Sequence, residues 1–343
     1  MNSSTSSSDA SAWRGFVATF LGTLAALTVG LLAAVALLDP YDRGAFGEPH
    51  RGTPEAAPRV AGASRVRDPA FDAAVIGNSH IQLVDPAALS RATGFRFVSL
   101  TVPGTGPREQ LAILDAVLRH HGEGTRALVL GLDPAWCTED PALPMTNPFP
   151  FWLYDPSPAA YLGGLMRFAA LEQAARRVGF LLGLVGPARR DGYWDYAAGR
   201  TPSFAAPAPA APAGPAGPAG EVIDDARRFP ALDRLGERLA RLPEAVQVAL
   251  VRPPVHASAL PPPASTPARA EAACRRAMEG LSARQAGTVL VDLRRGDPGA
   301  ADDRQWFDDG HYAEPVARRV EAAVAAALAG LGTTADGGTG PAR

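Results

Sequence analysis

The 343-residue sequence contains no lysine, and all 33 of its basic residues are arginine. Charged residues make up only 20% of the chain, and the formal net charge is −2. This balance argues against a general nucleic-acid-binding protein, because such proteins carry a clustered basic surface. Cysteine is almost absent, and two residues, Cys137 and Cys274, exclude both a disulfide framework and a zinc site. They are either free thiols or a single bridge formed in an oxidising compartment.

Histidine is also scarce, and the six residues show no metal-ligand spacing. The sequence therefore predicts no metal site, and nothing in it implies another cofactor. Hydrophobic residues, in contrast, make up 47% of the chain, which is enough to build a large buried core.

One long stretch lacks charge altogether. Residues 16–38 form an apolar run of 23 residues, long enough to cross a bilayer core of about 30 Å as a helix. A cleaved signal peptide with Ala34-Val35-Ala36 as its cleavage site is the alternative, but signal sequences have apolar regions of about 7–15 residues. The run predicts an uncleaved, single-pass anchor. The numbers of arginines on its two sides do not decide the orientation of this helix in the membrane. The function of the domain that follows it therefore has to decide the orientation.

Composition divides the rest of the chain. Residues 1–15 are a polar tail, and residues 39–70 have the Pro-, Gly- and Arg-rich character of a stalk or a wrapping segment. A folded domain is predicted over 71–332, with an insertion at 134–222 that contains a low-complexity loop at 202–220. Residues 333–343 are predicted to be a disordered tail.

Five short apolar runs within the domain alternate with helical segments. Such uninterrupted apolar strands are typical of a parallel sheet covered on both faces, so we predict a doubly wound α/β fold. The predicted strands are 73–77, 95–100, 126–132, 246–251 and 288–293, and the predicted helices are 107–121, 159–184, 224–242, 266–285 and 314–331.

Ligands of such sheets bind at the carboxyl ends of the strands, so the residues after each strand are candidates for chemistry. Gly77-Asn78-Ser79-His80 follows the first strand, and a loop with Gly104 and Gly106 follows the second. Gly131-Leu132-Asp133-Pro134 follows the third strand, and Asp308-Asp309-Gly310-His311 precedes the last helix. Each segment alone is weak evidence, whereas their order along an alternating sheet is much more specific.

This order resembles the SGNH (GDSL) hydrolase superfamily, and within it an envelope-associated branch that includes proteins of alginate O-acetylation and of D-alanyl transfer. The resemblance covers residues 71–330 and implies a flavodoxin-like strand order. It implies that Ser79 is the nucleophile, that His311 is its base and that Asp308 orients the base, with Asp309 in reserve. A helix-capping role for Asp308 is the alternative. The amides of Ser79 and of Gly104 or Gly106 are the expected oxyanion donors.

Two residues depart from the family pattern. Asp133 stands where the family has an oxyanion-binding Asn, and Asn78 stands where it has an Asp. An ionised carboxylate only accepts hydrogen bonds, so Asp133 serves an oxyanion only if it is protonated. The substitution therefore puts fast hydrolysis in question.

Further residues are candidates for substrate contacts. Asn78 and His80 flank the candidate nucleophile, Trp136 follows the third strand, and His256 follows the fourth. Aromatic residues in the insertion suit either sugar rings or the core of a helical cap. These residues are Trp136, Trp152, Tyr154, Trp194 and Tyr196.

An anchored domain with a general role in envelope assembly is the least specific alternative, and two more specific functions remain open. One is an anchored serine esterase or O-acyltransferase that acts on an envelope glycan or a related ester. The other is an inactive SGNH-like protein that binds a glycan or a partner, with a membrane acyltransferase as the candidate partner. In both cases the anchor places the protein in the plasma membrane with its C-terminal domain outside the cytoplasm, and no nucleic-acid partner is predicted.

Overall fold

The computed structural model describes residues 8–44, 52–54, 57–143, 147–204 and 228–336. Most of the predicted low-complexity loop at 202–220, the first seven residues and residues 337–343 of the predicted tail lie outside these ranges.

Five strands form one all-parallel sheet in the order β2-β1-β3-β4-β5. This order is one of the two common doubly wound arrangements, and it confirms the predicted parallel α/β sheet. The strands are β1 (Ala73–Gly77), β2 (Phe97–Thr101), β3 (Ala127–Gly131), β4 (Gln247–Arg252) and β5 (Thr288–Asp292).

Helices precede, connect and cover the strands. They are α1 (Ser8–Leu38), α2 (Pro58–Arg65), α3 (Pro86–Thr93), α4 (Pro107–His121), α5 (Ala135–Thr138), α6 (Phe151–Tyr154), α7 (Pro158–Leu165), α8 (Phe168–Leu181), α9 (Pro230–Leu239), α10 (Thr266–Arg284) and α11 (Glu314–Asp336).

Alternation along the strands divides the core into two layers. In β1, Ala74 and Ile76 face the layer that contains α4, α9 and α10, whereas Ala73 and Val75 face the layer of α3 and α11. Both faces of the sheet are therefore covered, as the apolar strands predict.

Helix α1 is long and apolar enough to span a membrane, with a mean hydropathy of 2.3 over its best window. Its side chains are exposed over most of its length, but Val35 and Ala36 in its last turn are buried in the core of the domain. The helix begins at Ser8, so it takes in half of the predicted polar tail.

Of the two alternatives for residues 39–70, a stalk or a wrapping segment, the packing of the described residues fits the wrapping segment. Tyr41 is buried in the core, and α2 packs against β2 with its Ala61 and Ala63 fully buried. The sequence did not predict α2, because its proline, glycine and arginine residues give no helical pattern of apolar residues. Gly62 is nevertheless required there, because a Cβ atom would lie 2.6 Å from the Tyr154 hydroxyl.

Other helix predictions were right in place but not in extent. The predicted helix 159–184 is two helices, α7 and α8, with a break at Met166 and Arg167. Helix α9 begins at Pro230 rather than near residue 224, and α3 was not predicted.

The two cysteines form a disulfide bond. Cys137 in α5 and Cys274 in α10 have Cα atoms 5.7 Å apart. The bond ties the segment after β3 to the helix that flanks β5, and it resolves the alternative that the sequence left open.

Candidate functional site

The turn after β1 presents Ser79 at the carboxyl edge of the sheet. Gly77 ends β1, and a Cβ atom at this position would lie 2.5 Å from Cγ2 of Ile81. At Gly131, at the end of β3, it would lie 2.8 Å from the same atom. The two glycines therefore make room for Ile81 over the strand ends, and the chain turns tightly enough to leave Ser79 partly exposed.

Ser79, His311 and Asp308 form one hydrogen-bonded chain. His311 Nε2 lies 2.7 Å from Ser79 Oγ, across 232 positions of sequence. The other ring nitrogen, Nδ1, lies 2.9 Å and 2.8 Å from the two carboxylate oxygens of Asp308. This is the arrangement by which a histidine takes a proton from a serine hydroxyl while a carboxylate fixes its tautomer.

The Asp308 carboxylate is held in place by the loop that carries it. Its Oδ1 accepts hydrogen bonds from the backbone N–H groups of Gly310 at 2.9 Å and His311 at 2.7 Å. Burial raises the pKa of Asp308, but these N–H groups and the His311 ring outweigh it and lower the pKa below its ordinary value. The Asp308 carboxylate does not cap the last helix, which begins six residues later at Glu314. Asp309, the reserve candidate, is exposed.

The loop after β2 distinguishes between the two candidate glycines. The Gly106 N–H donates to the Glu109 carboxylate at 3.0 Å at the start of α4, so it does not face an oxyanion. Gly104 has φ +64°, and the N–H groups of Gly104 and Ser79 donate to no group among the described residues. Pro103, the neighbour of Gly104, lines the same cleft as Ser79. Ser79 and Gly104 are therefore the available oxyanion donors.

Asn78 and Asp133, the two departures from the SGNH pattern that the sequence resembles, are in contact with each other. Asn78 Nδ2 donates to Asp133 Oδ2 at 2.5 Å and lies 3.2 Å from the Thr105 carbonyl oxygen. His80 Nδ1 is 3.5 Å from the same Asp133 oxygen. The amide of Asn78 is thus fully occupied, and Asp133 presents a buried carboxylate beside the nucleophile turn. Neither residue donates a hydrogen bond towards Ser79.

A cleft of about 290 Å³ opens over the triad. The Tyr196 ring meets the His311 ring edge-on at 5.6 Å between centroids, and its hydroxyl donates to the Tyr312 carbonyl oxygen at 2.9 Å. Burial raises the pKa of Tyr196, so the phenol stays protonated and does not compete with His311 as a base. The remaining lining residues are Gln82, Pro103, Trp194, Arg200 and Phe307.

The aromatic residues of the insertion have two different roles. Trp152 and Tyr154 pack in or against the core, whereas Trp194 and Tyr196 line the cleft. Sequence reasoning noted these aromatics but did not assign any of the last pair to the site, and it missed Gln82 and Arg200. The sequence places all four aromatic residues in the insertion, but it does not show that Trp194 and Tyr196 line the cleft while Trp152 and Tyr154 pack in or against the core. That difference depends on how the chain folds.

The structure does not bring two of the predicted substrate contacts, Trp136 and His256, into the lining of this cleft. Trp136 is 3% exposed, and its Nε1 donates to Gln110 Oε1 at 3.0 Å inside the core, because α5 turns it away from the strand ends. His256 is 4% exposed and is held by Ser258 Oγ at 2.8 Å and Asp303 Oδ1 at 3.0 Å. Its backbone N–H donates to the Asp309 carbonyl oxygen at 2.9 Å, so it supports the loop that carries Asp308 and His311.

A second cavity, of about 310 Å³, lies on the other side of Asp133 between the ends of β3 and β4 and helix α10. Its lining includes Cys137, Arg252 and Met278 but no member of the triad. We therefore place the candidate site in the smaller cleft, where the reactive groups are.

No model of a known protein family and no curated protein matches the chain. The case for its function consequently depends on the geometry of the residues themselves.

Proposed function

We propose that the protein is a membrane-anchored serine esterase or O-acyltransferase of SGNH type, acting on an ester of a cell-envelope glycan through an acyl-enzyme. The observation that carries this proposal is the hydrogen-bonded chain from Ser79 Oγ through His311 to Asp308. Residues so far apart in sequence meet with nucleophile, base and orienting carboxylate in the order that acyl transfer needs.

The groups of the site act in a defined order during the reaction. Ser79 Oγ attacks the ester carbonyl carbon as its proton passes to His311 Nε2, and the N–H groups of Ser79 and Gly104 receive the oxyanion. The tetrahedral intermediate collapses, and His311 returns the proton to the departing alcohol. A water molecule or an acceptor hydroxyl then gives its proton to His311 and attacks the acyl-serine carbonyl carbon, and His311 passes this proton to Ser79 Oγ as the acyl–oxygen bond breaks. Water gives hydrolysis, and an acceptor hydroxyl gives transfer.

Two features support an extracytoplasmic domain on an uncleaved anchor. The Cys137–Cys274 disulfide favours an oxidising compartment. Cleavage after Ala36 would remove the buried side chains of Val35 and Ala36 from the core of the domain, which argues against a signal peptide.

The cleft lining supports a glycan substrate. The Trp194 side chain is 48% exposed beside the triad, and the Arg200 guanidinium stacks on the Phe307 ring at 4.7 Å. Exposed aromatic faces suit the apolar faces of sugar rings, and the N–H groups of an arginine suit their hydroxyl or carboxylate oxygens.

One observation favours the second candidate function, an inactive protein that binds a glycan or a membrane acyltransferase. Asp133 puts a buried carboxylate where the family pattern has an oxyanion donor, and its Oδ1 has no hydrogen-bond partner among the described residues. A negative charge near a developing oxyanion opposes catalysis.

A fluorophosphonate probe separates the two functions, because it labels a serine only when a base activates it. We expect the full-length protein to be labelled, Ser79→Ala to lose labelling completely, and Asp308→Asn to slow it by about 10⁴-fold. The exposed Ser203 is the matched control, and Ser203→Ala keeps the wild-type rate. Failure to label folded wild-type protein, with folding verified by circular dichroism, would exclude the enzyme in favour of the binding protein.

A further inference from the structure

The junction between helix α1 and the domain contains no flexible stalk. Val35, Ala36 and Tyr41 are buried in the main core, directly after the exposed part of α1. Asp42 follows at once and forms a buried ion pair with Arg177 of α8 at 2.8 Å, with side chains 1% and 4% exposed. The end of α1 is therefore fixed against the domain, and so is the distance of the domain from any membrane that α1 crosses.

Helix α8 also carries an apolar face whose large side chains are 37–74% exposed. Ala170, Ala174 and Arg177 point inward and are buried. A separate exposed stripe lies beside them with the i, i+3, i+7, i+10, i+14 spacing of one helix face, and it consists of Phe168, Leu171, Ala175, Val178 and Leu182. Phe168 and Leu182 are 74% and 68% exposed.

The neighbouring helix extends this apolar surface. Leu162 of α7 and Met166 at the turn between the helices are 50% and 69% exposed. Together they form what we call the α7–α8 face, defined by Leu162, Met166, Phe168, Leu171, Val178 and Leu182. A soluble protein rarely leaves a contiguous surface of this kind in water, so the face needs an occupant.

The position of α1 identifies that occupant. Helix α1 contacts both α7 and α8. The part of its apolar run that precedes the buried Val35 and Ala36, residues 16–34, is roughly 28 Å long as a helix, close to the ~30 Å thickness of the bilayer core, so α1 leaves the hydrocarbon just before Val35. Helices that contact this end of α1 lie at the same depth, in the interfacial layer of the bilayer.

We propose that the α7–α8 face lies in the membrane interface, so that the domain rests directly on the bilayer as an interfacial helix pair beside its own anchor. Exposed Arg167 and Arg176 sit next to the apolar stripe, where they reach anionic lipid phosphates. This inference rests on the proposed anchor but not on catalysis, since it concerns no residue of the triad.

Fluorescence quenching in vesicles tests the proposal with the full chain. The two native cysteines are paired, so an added cysteine takes a nitrobenzoxadiazole label selectively. Three single variants are used: Leu182→Cys on the face, Leu27→Cys in the middle of α1, and the exposed Ala283→Cys on α10, which flanks β5 at the far edge of the sheet. Each is reconstituted in vesicles of phosphatidylcholine and phosphatidylglycerol that carry a doxyl-labelled lipid.

We expect labels at 182 and 27 to be quenched about twofold or more, and the label at 283 to be unaffected. Quenching at 27 but not at 182 would overturn the proposal while leaving the anchor intact. Quenching at neither would overturn both. Shielding of 182 in native membranes but not in lipid-only vesicles would assign the face to a membrane protein and also reject the lipid surface. Fluorophosphonate labelling of the same samples tests catalysis separately.

Discussion

The unusual residues Asn78 and Asp133 are explained by their contact with each other. Each stands where the SGNH pattern that the sequence resembles has the other, and their side chains are 2.5 Å apart and buried. The exchange keeps one amide and one carboxylate in contact, so the local charge and the hydrogen bond are both preserved. The exchange weakens the stabilisation of an oxyanion, because the Asn78 amide donates its hydrogen bond to the Asp133 carboxylate and not towards Ser79.

We expect the single variant Asn78→Asp to be less stable than wild type, and the double variant with Asp133→Asn to be more reactive. Asn78→Asp alone puts two buried carboxylates in contact, and we expect it to lower the free energy of unfolding by about 3 kcal/mol. Adding Asp133→Asn restores the pairing and supplies an amide donor, so the double variant should recover stability and react with the fluorophosphonate about 10²-fold faster than wild type. Urea denaturation and labelling rates measure both effects. Additive effects on stability would show that the residues are not coupled.

Motif order was enough to predict Ser79, Asp308 and His311, because each follows or precedes an element whose position in the sheet is readable from apolar periodicity. The direction of a side chain after a strand was not readable. Trp136 and His256 both follow strand ends, but the α5 turn and the contact with Asp303 bury them. Such outcomes depend on packing partners far away in the sequence.

At the scale of elements, helices α3 and α11 meet through one carboxylate. Glu321 of α11 accepts a hydrogen bond from the Asp85 N–H at the start of α3 at 2.6 Å, and another from Arg318 at 2.7 Å. Burial raises the pKa of Glu321 to about 6, against the opposing effect of these hydrogen bonds. The ionised form is therefore held in the folded protein at a cost.

This cost has a defined pH window. A carboxyl whose folded pKa exceeds its unfolded value binds more protons in the native state, so stability falls as pH rises from about 4.3 to about 6 and is level above that. Glu321→Gln lacks this titration. We expect the unfolding free energy of wild type to fall by roughly 2 kcal/mol relative to the variant across the window, measured by urea denaturation at several pH values. Parallel pH profiles for the two proteins would contradict the assignment.

The same scale shows which elements the sequence could not reveal. Strand β1 and helix α4 match their predicted bounds because apolar runs and a first-turn proline mark them. Helix α2 carries a weak local signal and forms because β2 and Tyr154 offer it a surface. Tertiary contact, rather than local preference, decides such a segment.

At the scale of the whole molecule, the end of helix α1 is connected rigidly to the domain. The buried ion pair of Asp42 with Arg177 lies at its centre, and Ser64 of α2 donates to Asp42 at 2.8 Å. Three segments that are distant in sequence are joined at one carboxylate. Removal of the Arg177 charge should therefore weaken the contacts of all three segments together.

Arg177→Ala leaves Asp42 buried without its partner, and we expect it to lower the free energy of unfolding by about 3–5 kcal/mol. Its neighbour Arg176 is exposed on the same helix, so Arg176→Ala is the matched control and should change stability by less than about 0.5 kcal/mol. Urea denaturation of the full chain in detergent measures both. Equal effects of the two substitutions would mean that the buried pair does not stabilise the junction.

The Cys137–Cys274 bond has a consequence for the integrity of a damaged molecule. Ser79 lies before the first cysteine, and Asp308 and His311 lie after the second. A protease that cuts the chain anywhere between the two cysteines therefore produces two fragments that remain covalently joined, with α1 and Ser79 on one and Asp308 and His311 on the other. In an oxidising compartment such a nicked protein keeps Ser79, Asp308 and His311 on one covalent assembly, and release of the C-terminal fragment requires reduction of the bond as well as separation of the packed sheet and core.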